Sequence, residues 1–287
     1  MSANVSLIGF GEAAMAFALD WAEQGVRVRA YDLLTDDPAT AEAKRADYRR
    51  HGVEGCDTLA DCLAGAETIL SLVTADQALA AAEAAASCIG QGAFYVDCNS
   101  AAPQTKRAAA EAIGKAGAAY VDAAIMAPVE PQRTKVPLLL SGPRAEEGRE
   151  RLAALGFAPE IAGDRIGQAA TIKMLRSVIV KGIEALTAEC FLAAEAEGVA
   201  EAVAASLGAG WRDKADYNLD RMMVHGTRRA AEMEAVAATL EALGFPADMA
   251  RAAAGWQRRI GALGIAPEEG LAAKAAQIAR RGRKDAA

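Results

Sequence analysis

The stretch GDRIGQAATIKMLRSVIVKGIEALTAECFLAAEAE, residues 163–197, decides how this chain is organised. Upstream of it, strand-like and helix-like segments alternate, whereas downstream of it the pattern is helical only. The stretch opens on a glycine-flanked turn and predicts one helix that is longer than any other in the chain. We expect this helix to be buried over much of its surface, because apolar residues occupy most of its faces: Ile172, Leu175, Val178, Ile179, Ile183 and Leu186.

Three polar residues share the remaining face of this predicted helix. Lys173, Ser177 and Lys181 are spaced i, i+4 and i+8, which stacks them one turn above another. A lysine near the start of a mostly buried helix, at a domain junction, is a candidate catalytic residue, and Ser177 is a candidate to orient it or to hold a substrate hydroxyl. Alternatively, Lys173 snorkels to solvent and Ser177 bonds back to the carbonyl four residues earlier.

The first segment of the chain predicts a dinucleotide-binding turn. An apolar strand over 5–8 leads into a glycine-rich turn and then into a helical pattern. The first glycine permits a tight turn, the second lets the backbone approach a pyrophosphate, and the helix N-terminus offers free N–H groups to that anion. The alternative is a plain strand-to-helix turn. The predicted cofactor contacts here are Gly9, Phe10, Gly11, Glu12, Ala13 and Ala14.

An acidic residue follows the second predicted strand, about 20 residues after the glycines. Asp32 in this position hydrogen-bonds the adenosine ribose hydroxyls of NAD. The next residues are Leu33, Leu34 and Thr35, with no arginine to hold a 2′-phosphate, so the sequence favours NAD over NADP. In the alternative interpretation, Asp32 is only a turn residue.

Further candidates follow later strands of the same predicted sheet. Ligands of open α/β sheets bind at strand ends, so Val73 and Thr74 should lie near the cofactor. Asn99 and Ser100 follow the strand at 94–97 and are expected to contact the nicotinamide carboxamide or the substrate. Alternatively, Asn99 and Ser100 cap the helix that begins at Pro103.

The fold class predicted is α/β: an N-terminal Rossmann domain over 1–165, an interdomain helix over 166–197 and an all-helical domain over 198–287. Seven strands are expected in the first domain, the last of them at 137–141. The helical domain is expected to contain separate segments, with a tail that frays: 201–207, 216–224, 227–243, 247–263 and the tail 274–287.

Composition excludes several classes of function. A net charge of −7 and a pI near 5.1 argue against nucleic acid or an anionic membrane as partner. No apolar run approaches the roughly 20 residues of a membrane span, and no leader-like segment is evident at the start. Five scattered cysteines and two histidines favour reduced thiols, a cytoplasmic location and no metal site.

Four stretches resemble the β-hydroxyacid dehydrogenase superfamily, the relatives of 3-hydroxyisobutyrate and 6-phosphogluconate dehydrogenases. The resemblance covers essentially the whole chain. Its last stretch is similar to the branch of phosphogluconate-dehydrogenase-like NAD-binding proteins with their own C-terminal domain. The stretches are GFGEAAMA (9–16), YVDAAIMAP (120–128), GQAATIKMLRS (167–177) and RMMVHGTRRAAEM (221–233).

The resemblance implies nicotinamide-dependent oxidation of a small 3-hydroxy acid, or reduction of the keto acid, with Lys173 as general acid and base. It also implies a helical domain that often forms a homodimer. The chain departs from the family at the substrate end: Met126 replaces a serine, Ser177 replaces an asparagine, and a usual Lys-Asp pair has no clear counterpart near 232–234. These departures suggest a larger or less polar substrate.

The residues themselves are compatible with this chemistry. A free lysine, with a pKa of about 10.4, is a poor base at neutral pH, and partial burial or the charges of Arg176 and Lys181 would lower that value. His225, Arg228 and Arg229 are candidate substrate contacts, since arginine binds carboxylates bidentately. A solvated charged face or a dimer contact explains these three residues equally well.

Two other functional interpretations stay open. In the first, the fold and cofactor are the same, but decarboxylation, isomerisation or retro-aldol cleavage follows, or the substrate is an imine. In the second, the protein is a dinucleotide-binding sensor without turnover, although a sensor has no need of a proton carrier such as Lys173.

Overall fold

The computed structural model of the protein describes residues 4–284, with the backbone alone for 282–284. Contacts divide the chain into two compact units, Met1–Lys173 and Met174–Ala287. The boundary falls inside one helix, α7 (Gln168–Ala196). The α/β architecture followed by an all-helical region is confirmed, whereas the three-part division with its boundaries at 165 and 197 stays a prediction.

The first unit is built on one eight-stranded sheet in the order β3-β2-β1-β4-β5-β6-β7-β8. The sheet is parallel except for the antiparallel pair of β6 and β7. The strand order reverses direction beside β1, so the carboxyl ends of β1 and β4 border the crevice where such sheets bind ligands. The strands are β1 (Asn4–Ile8), β2 (Arg27–Tyr31), β3 (Glu54–Gly55), β4 (Thr68–Ser71), β5 (Phe94–Asp97), β6 (Ala119–Ile125), β7 (Leu138–Ser141) and β8 (Glu160–Gly163).

Helices cover both faces of this sheet. Because successive strand residues point to opposite faces, Leu7 and Val96 belong to one apolar core, and Ile8 and Tyr95 belong to another. Burial on both faces explains why the strands read as continuous apolar runs. The helices of this unit are α1 (Glu12–Gln24), α2 (Ala41–Arg50), α3 (Leu59–Leu63), α4 (Ala78–Ala86), α5 (Pro103–Lys115) and α6 (Ala145–Ala153).

One strand was missing from the sequence-based expectation. Strand β8 pairs with β7 beyond the seven predicted strands. It is four residues long, and only its Ile161 and Ala162 are apolar, so it lacks the run or alternation by which a strand is recognised.

The second unit contains helices only, among the residues that the structure describes. Helix α9 has 32 residues and α7 has 29, so the prediction that α7 is the longest helix was wrong. Two helices had been predicted where α9 is continuous. The helices after α7 are α8 (Ala200–Leu207), α9 (Trp211–Ala242), α10 (Asp248–Gly261) and α11 (Leu271–Lys284).

Gly226, at the predicted break, lies inside α9 where that helix crosses α10. A Cβ atom at Gly226 would lie 2.8 Å from the backbone of Gly261. The glycine therefore permits close approach of two helices and does not end one. The tail expected to fray from residue 274 forms α11 instead, and residues 285–287 lie outside the described part.

Over much of its length, helix α7 exposes apolar side chains that were expected to be buried and buries polar ones. Four predicted core residues are exposed, by 42% to 64%: Ile172, Leu175, Ile179 and Leu186. Polar residues are buried instead: Ser177, Lys181, Glu184 and Thr187. The prediction was wrong because apolar residues on several faces do not reveal which face meets a neighbour. The homodimer stays a prediction.

None of the helices in residues 4–284 combines the length and the apolarity that crossing a bilayer requires.

Candidate active site

The glycine turn after β1 is tightly built. Gly9 has a φ of +88°, and a Cβ atom there would lie 2.6 Å from the carbonyl oxygen of Leu72, just after β4. Its N–H donates to the carbonyl oxygen of Tyr31 at 2.8 Å. Only glycine combines this backbone conformation with so close an approach.

Gly11 differs from Gly9, because a Cβ atom on it would meet nothing within 4 Å. It is the N-cap residue of α1, and no side chain caps that helix. Glu12 is exposed and Ala13 is half-buried. The first N–H groups of a helix have no partner within that helix, so those of α1 are suited to bind a pyrophosphate. Ala14 is fully buried, so its methyl group fits where a third glycine is common. These residues fit the pyrophosphate of a nicotinamide dinucleotide.

Asp32 is fixed beside this turn. Its Oδ2 accepts a hydrogen bond from the Phe10 N–H at 2.7 Å, and its Oδ1 accepts one from the Leu34 N–H at 3.0 Å. Asp32 thus has the contacts of a turn residue and also lies at the glycine turn, so the two interpretations are compatible. Phe10 itself is buried, with its ring centroid 5.1 Å from that of Tyr48.

Sequence reasoning missed a buried lysine at the same place. Lys44 of α2 donates to the carbonyl oxygen of Phe10 at 2.8 Å, and its ammonium lies 4.0 Å from Asp32 and 3.5 Å from Asp47. Helix α2 is highly charged, so no feature of its pattern marks one lysine as buried.

Asn99 joins the ends of β4 and β5. Its Oδ1 accepts from the Val73 N–H at 2.7 Å, and its Nδ2 donates to Ser71 Oγ at 2.9 Å. Its own N–H donates to Asp97 Oδ1 at 3.0 Å. The structure thus brings Val73 and Asn99 together at the carboxyl edge of the sheet, and Thr74 lies exposed beside them.

The alternative in which Asn99 or Ser100 caps the next helix was wrong. The N-cap residue of α5 is Ala102, without a side-chain cap, and Pro103 is the first helical residue. Ser100 has another contact: its Oγ accepts a hydrogen bond from Lys173 Nζ at 2.6 Å. Both residues are partly buried. The structure therefore unites two predicted site residues that are 73 positions apart.

A buried charged cluster, Asp97, Lys106 and Asp122, was not singled out from the sequence. The Lys106 ammonium lies 2.9 Å from Asp97 Oδ1 and 3.3 Å from Asp122 Oδ1, and all three side chains are at most 1% exposed. Complete burial by itself would lower the pKa of Lys106, but the two carboxylates outweigh it and raise that pKa above its ordinary value. Lys106 is therefore a permanent cation at neutral pH.

Met126 follows β6 and is half-buried. Its N–H donates to the carbonyl oxygen of Pro137 at 2.9 Å, and Pro128 has no N–H group. The segment after Met126 is fastened to α1, because Asp20 accepts hydrogen bonds from the N–H (3.0 Å) and Oγ1 (2.6 Å) of Thr134. Partial burial would raise the pKa of Asp20, but the hydrogen bonds from Thr134 and Arg133 lower it overall.

In the second unit, the predicted site residues have partners within the helical bundle. Ser177 Oγ accepts from Lys181 Nζ at 3.1 Å, and the Lys181 ammonium lies 2.9 Å from Glu232. Arg229 is buried and forms a bidentate ion pair with Glu184.

His225 and Arg228 lie on α9 near this ion pair in sequence, half-buried and exposed respectively. Arg228 Nε is 3.9 Å from Glu232. The guanidinium of Arg229 is thus engaged by Glu184, and its predicted contact with substrate stays a prediction. The roles predicted for Ser177, His225 and Arg228 stay predictions.

Two family models match the chain. Residues 4–146 match the NAD binding domain of 6-phosphogluconate dehydrogenase, and residues 194–260 match a domain of unknown function, DUF1932. A curated 3-hydroxyisobutyrate dehydrogenase from Pseudomonas aeruginosa is 25% identical over 219 residues, which is 72% of this chain and 71% of that protein.

Two solved structures are similar at higher identity. A conserved hypothetical protein from Sinorhizobium meliloti 1021 is 40% identical and has a TM-score of 0.78, with 98% of this chain and 97% of that chain covered. A conserved protein of unknown function, described as structurally similar to 3-hydroxyacid dehydrogenases, is 32% identical and has a TM-score of 0.69. There, 90% of this chain and 99% of that chain are covered. This chain therefore belongs to the β-hydroxyacid dehydrogenase superfamily, in the branch that carries a DUF1932 domain after its NAD-binding domain.

Proposed function

We propose that this protein is an NAD-dependent dehydrogenase that oxidises the hydroxyl group of a 3-hydroxy acid, or reduces the keto acid, with Lys173 as general acid and base. The observation that carries the proposal is the hydrogen bond of 2.6 Å between Lys173 Nζ and Ser100 Oγ. It holds an amine next to the loop after β5, at the sheet edge where ligands of such folds bind.

Oxidation of an alcohol requires that the hydroxyl proton leaves as the C–H bond breaks. The bound nicotinamide would supply the hydride acceptor or donor. Lys173 in its neutral form accepts the hydroxyl proton, and in the reverse direction its ammonium donates a proton to the carbonyl oxygen. The Ser100 hydroxyl accepts a hydrogen bond from Lys173 and can donate its own proton to the substrate oxygen, which orients that oxygen toward the amine. Such acid–base catalysis contributes about 10²–10⁴-fold.

The glycine turn would hold the cofactor through the backbone of Gly9 and the N–H groups at the start of α1. Asp32 would bind the adenosine ribose. NAD is favoured over NADP because the two residues after Asp32, Leu33 and Leu34, are exposed leucines. The nearby Lys44 is engaged by the Phe10 carbonyl oxygen.

The substrate is a small-molecule hydroxy or keto acid that is larger or less polar than the small acids oxidised by the family. Support comes from the half-buried thioether of Met126 and from Pro128, which offers no N–H donor. His225 and Arg228 remain proposed partners of the substrate carboxylate. Arg229 is not retained, since removal of its guanidinium from Glu184 would leave a buried carboxylate unpaired.

The test is turnover of a panel of 3-hydroxy acids, including aryl and sugar-acid members, with NAD and with NADP. In Lys173→Ala we expect the rate to fall by about 10²–10⁴-fold, while NADH affinity measured by calorimetry stays unchanged. Lys115→Ala is the matched control, because Lys115 is an exposed lysine at the end of α5.

Near-normal turnover in Lys173→Ala would remove the assignment of Lys173. NADH binding without turnover of any acid would favour a sensor instead. A carbon balance by mass spectrometry would identify a following decarboxylation, isomerisation or retro-aldol step, and parallel assays with imines would identify imine reduction.

A further inference from the structure

Fully buried polar side chains connect the two partners of the Lys173–Ser100 hydrogen bond through the sheet. Strands β5 and β6 pair in parallel with Asp97 opposite Asp122. Neither carboxylate is exposed. One of them contacts the loop that carries Ser100, and the other contacts the helix that carries Lys173.

The contacts of Asp97 hold residues 98–102, the loop between β5 and α5 that is called the Ser100 loop here. Asp97 Oδ1 accepts from the Asn99 N–H at 3.0 Å, and Asp97 Oδ2 accepts from Tyr120 Oη at 2.7 Å. Asn99 in turn holds Ser71 and the Val73 N–H. The backbone immediately before Ser100 is therefore fixed on both sides.

The contacts of Asp122 hold the start of α7. Asp122 Oδ2 accepts from the Ala170 N–H at 3.1 Å and from Ser141 Oγ at 2.9 Å, and Ser141 Oγ accepts from the Ala169 N–H at 2.9 Å. The first N–H groups of a helix have no partner within that helix. Two of them are satisfied here by side chains from β6 and β7, and the carboxylate also suits the positive end of the helix dipole.

Lys106 fixes the spacing between these two sets of contacts. Its ammonium lies between the carboxylates and also donates to the backbone carbonyl oxygen of Asp97 at 2.7 Å. Asp122 Oδ1 has no hydrogen-bond donor among the described residues, so the charge of Lys106, 3.3 Å away, is its compensation.

We propose that Asp122 and Ser141 are positioning residues for Lys173: they anchor the first turn of α7 so that the Lys173 amine meets the Ser100 hydroxyl. Lys173 lies three residues after Ala170, which is less than one helical turn. Displacement of the first turn of α7 would therefore also displace the Lys173 amine. Neither positioning residue touches the substrate. The assignment rests on the proposed function of Lys173 as proton carrier, but its geometry is testable without turnover.

The test compares the reactivity of the Lys173 amine in Asp122→Asn, in Ser141→Ala and in the wild type. The full-length proteins are treated with a small amount of acetic anhydride, and acetylation is quantified by peptide mass spectrometry. The exposed Lys115 is the internal reference in every sample. Ser6→Ala is the matched control, since Ser6 is also a buried strand serine, and its Oγ donates to the Cys62 carbonyl oxygen at 2.8 Å.

We expect the ratio of Lys173 to Lys115 acetylation to rise about 2–10-fold in both positioning variants, the factor that corresponds to one net hydrogen bond. In Ser6→Ala the ratio should keep its wild-type value, which separates positioning from general loss of stability. Hydrogen exchange of the peptide over 166–174 should accelerate in the same two variants. With an active substrate, kcat should fall in both while NADH affinity is unchanged.

A wild-type acetylation ratio in the folded variants overturns the proposal, whatever the exchange rates are. Should Asp122→Asn not fold, Ser141→Ala decides alone, because it leaves all three buried charges in place. Failure of the dehydrogenase assignment would appear as absent turnover or as normal turnover in Lys173→Ala. Neither result alters the acetylation ratio, so the two failures are distinguishable.

Discussion

Each unit of this protein buries a charged cluster, and the two clusters are connected differently. In the first unit, Lys106 lies between two carboxylates, and those carboxylates also accept hydrogen bonds from the backbone of α7 and of the Ser100 loop. In the second unit, a helical cluster of Glu184, Arg229 and Gln257 joins α7, α9 and α10 by contacts between side chains.

The difference separates two uses of buried charge. In the helical cluster, the carboxylate of Glu184 contacts only the guanidinium of Arg229 and the amide of Gln257, among the described contacts. These side-chain contacts hold three helices together. In the cluster of the first unit, Asp97 and Asp122 also accept hydrogen bonds from backbone N–H groups close to Ser100 and to Lys173. Burial of a charged side chain is therefore weak evidence that it serves a catalytic site. Hydrogen bonds to the backbone beside candidate catalytic residues, such as Ser100 and Lys173, are stronger evidence.

The largest effect should come from removal of the cation in either cluster. Lys106→Met and Arg229→Met should each lower the free energy of unfolding by about 3–5 kcal/mol, since each leaves buried carboxylate charge uncompensated. The double change Glu184→Met with Arg229→Met should recover most of this loss. Asp122→Leu with Lys106→Met should not, because the buried Asp97 carboxylate stays without its cation and the N–H of Ala170 loses its acceptor. The free energy of unfolding of the two single and two double variants is measured by urea denaturation. Equal recovery by the two double variants would contradict the proposed difference between the clusters.

A smaller effect is expected in the pH dependence of the first cluster. The pKa of Lys106 is raised in the folded protein, so its stabilising contribution is complete below the ordinary lysine pKa of about 10.4 and is lost as the pH rises through the higher folded value. The difference in unfolding free energy between wild type and Lys106→Met should be constant from pH 7 to about pH 10 and then shrink by on the order of 1 kcal/mol per pH unit. An increase of this difference between about pH 8 and pH 10 would mean that the pKa of Lys106 is lowered in the folded protein and would contradict the prediction.

The smallest effect concerns a neutral hydrogen bond in the helical unit. Thr187 Oγ1 accepts from Asn218 Nδ2 at 2.9 Å and donates to the carbonyl oxygen of Ile183. Thr239 is equally buried and bonds only to the carbonyl oxygen four residues earlier, as far as the described contacts show. Thr187→Val should therefore lower the unfolding free energy by about 0.5–1.5 kcal/mol more than Thr239→Val.

Both threonine variants should leave the Lys173 acetylation ratio at its wild-type value. A change of that ratio in Thr187→Val would show that contacts of the helical unit also position the amine. The comparison between the two units would then have to be abandoned.

Much of the first unit could be predicted because its signals are local. The glycine turn, Asp32 after β2 and Pro103 at the start of α5 each depend on neighbouring residues only. Gly226 shows the limit: separate helices were predicted over 216–224 and 227–243, yet Gly226 lies inside one continuous helix, at its close crossing with Gly261. The sequence contains both glycines but does not say that they meet.

By itself, the sequence determined the fold class, the dinucleotide turn and Lys173 as the amine to examine, because hydrophobic periodicity and turn chemistry are properties of adjacent residues. Only the tertiary structure decided which face of α7 is buried, that Arg229 pairs with Glu184 and that Asp122 and Ser141 hold the start of α7. These contacts join residues 28 to 48 positions apart. Burial and pairing at such separations depend on how the strands and helices pack, and a charged residue has the same letter in the sequence whether it is solvated or buried with a partner.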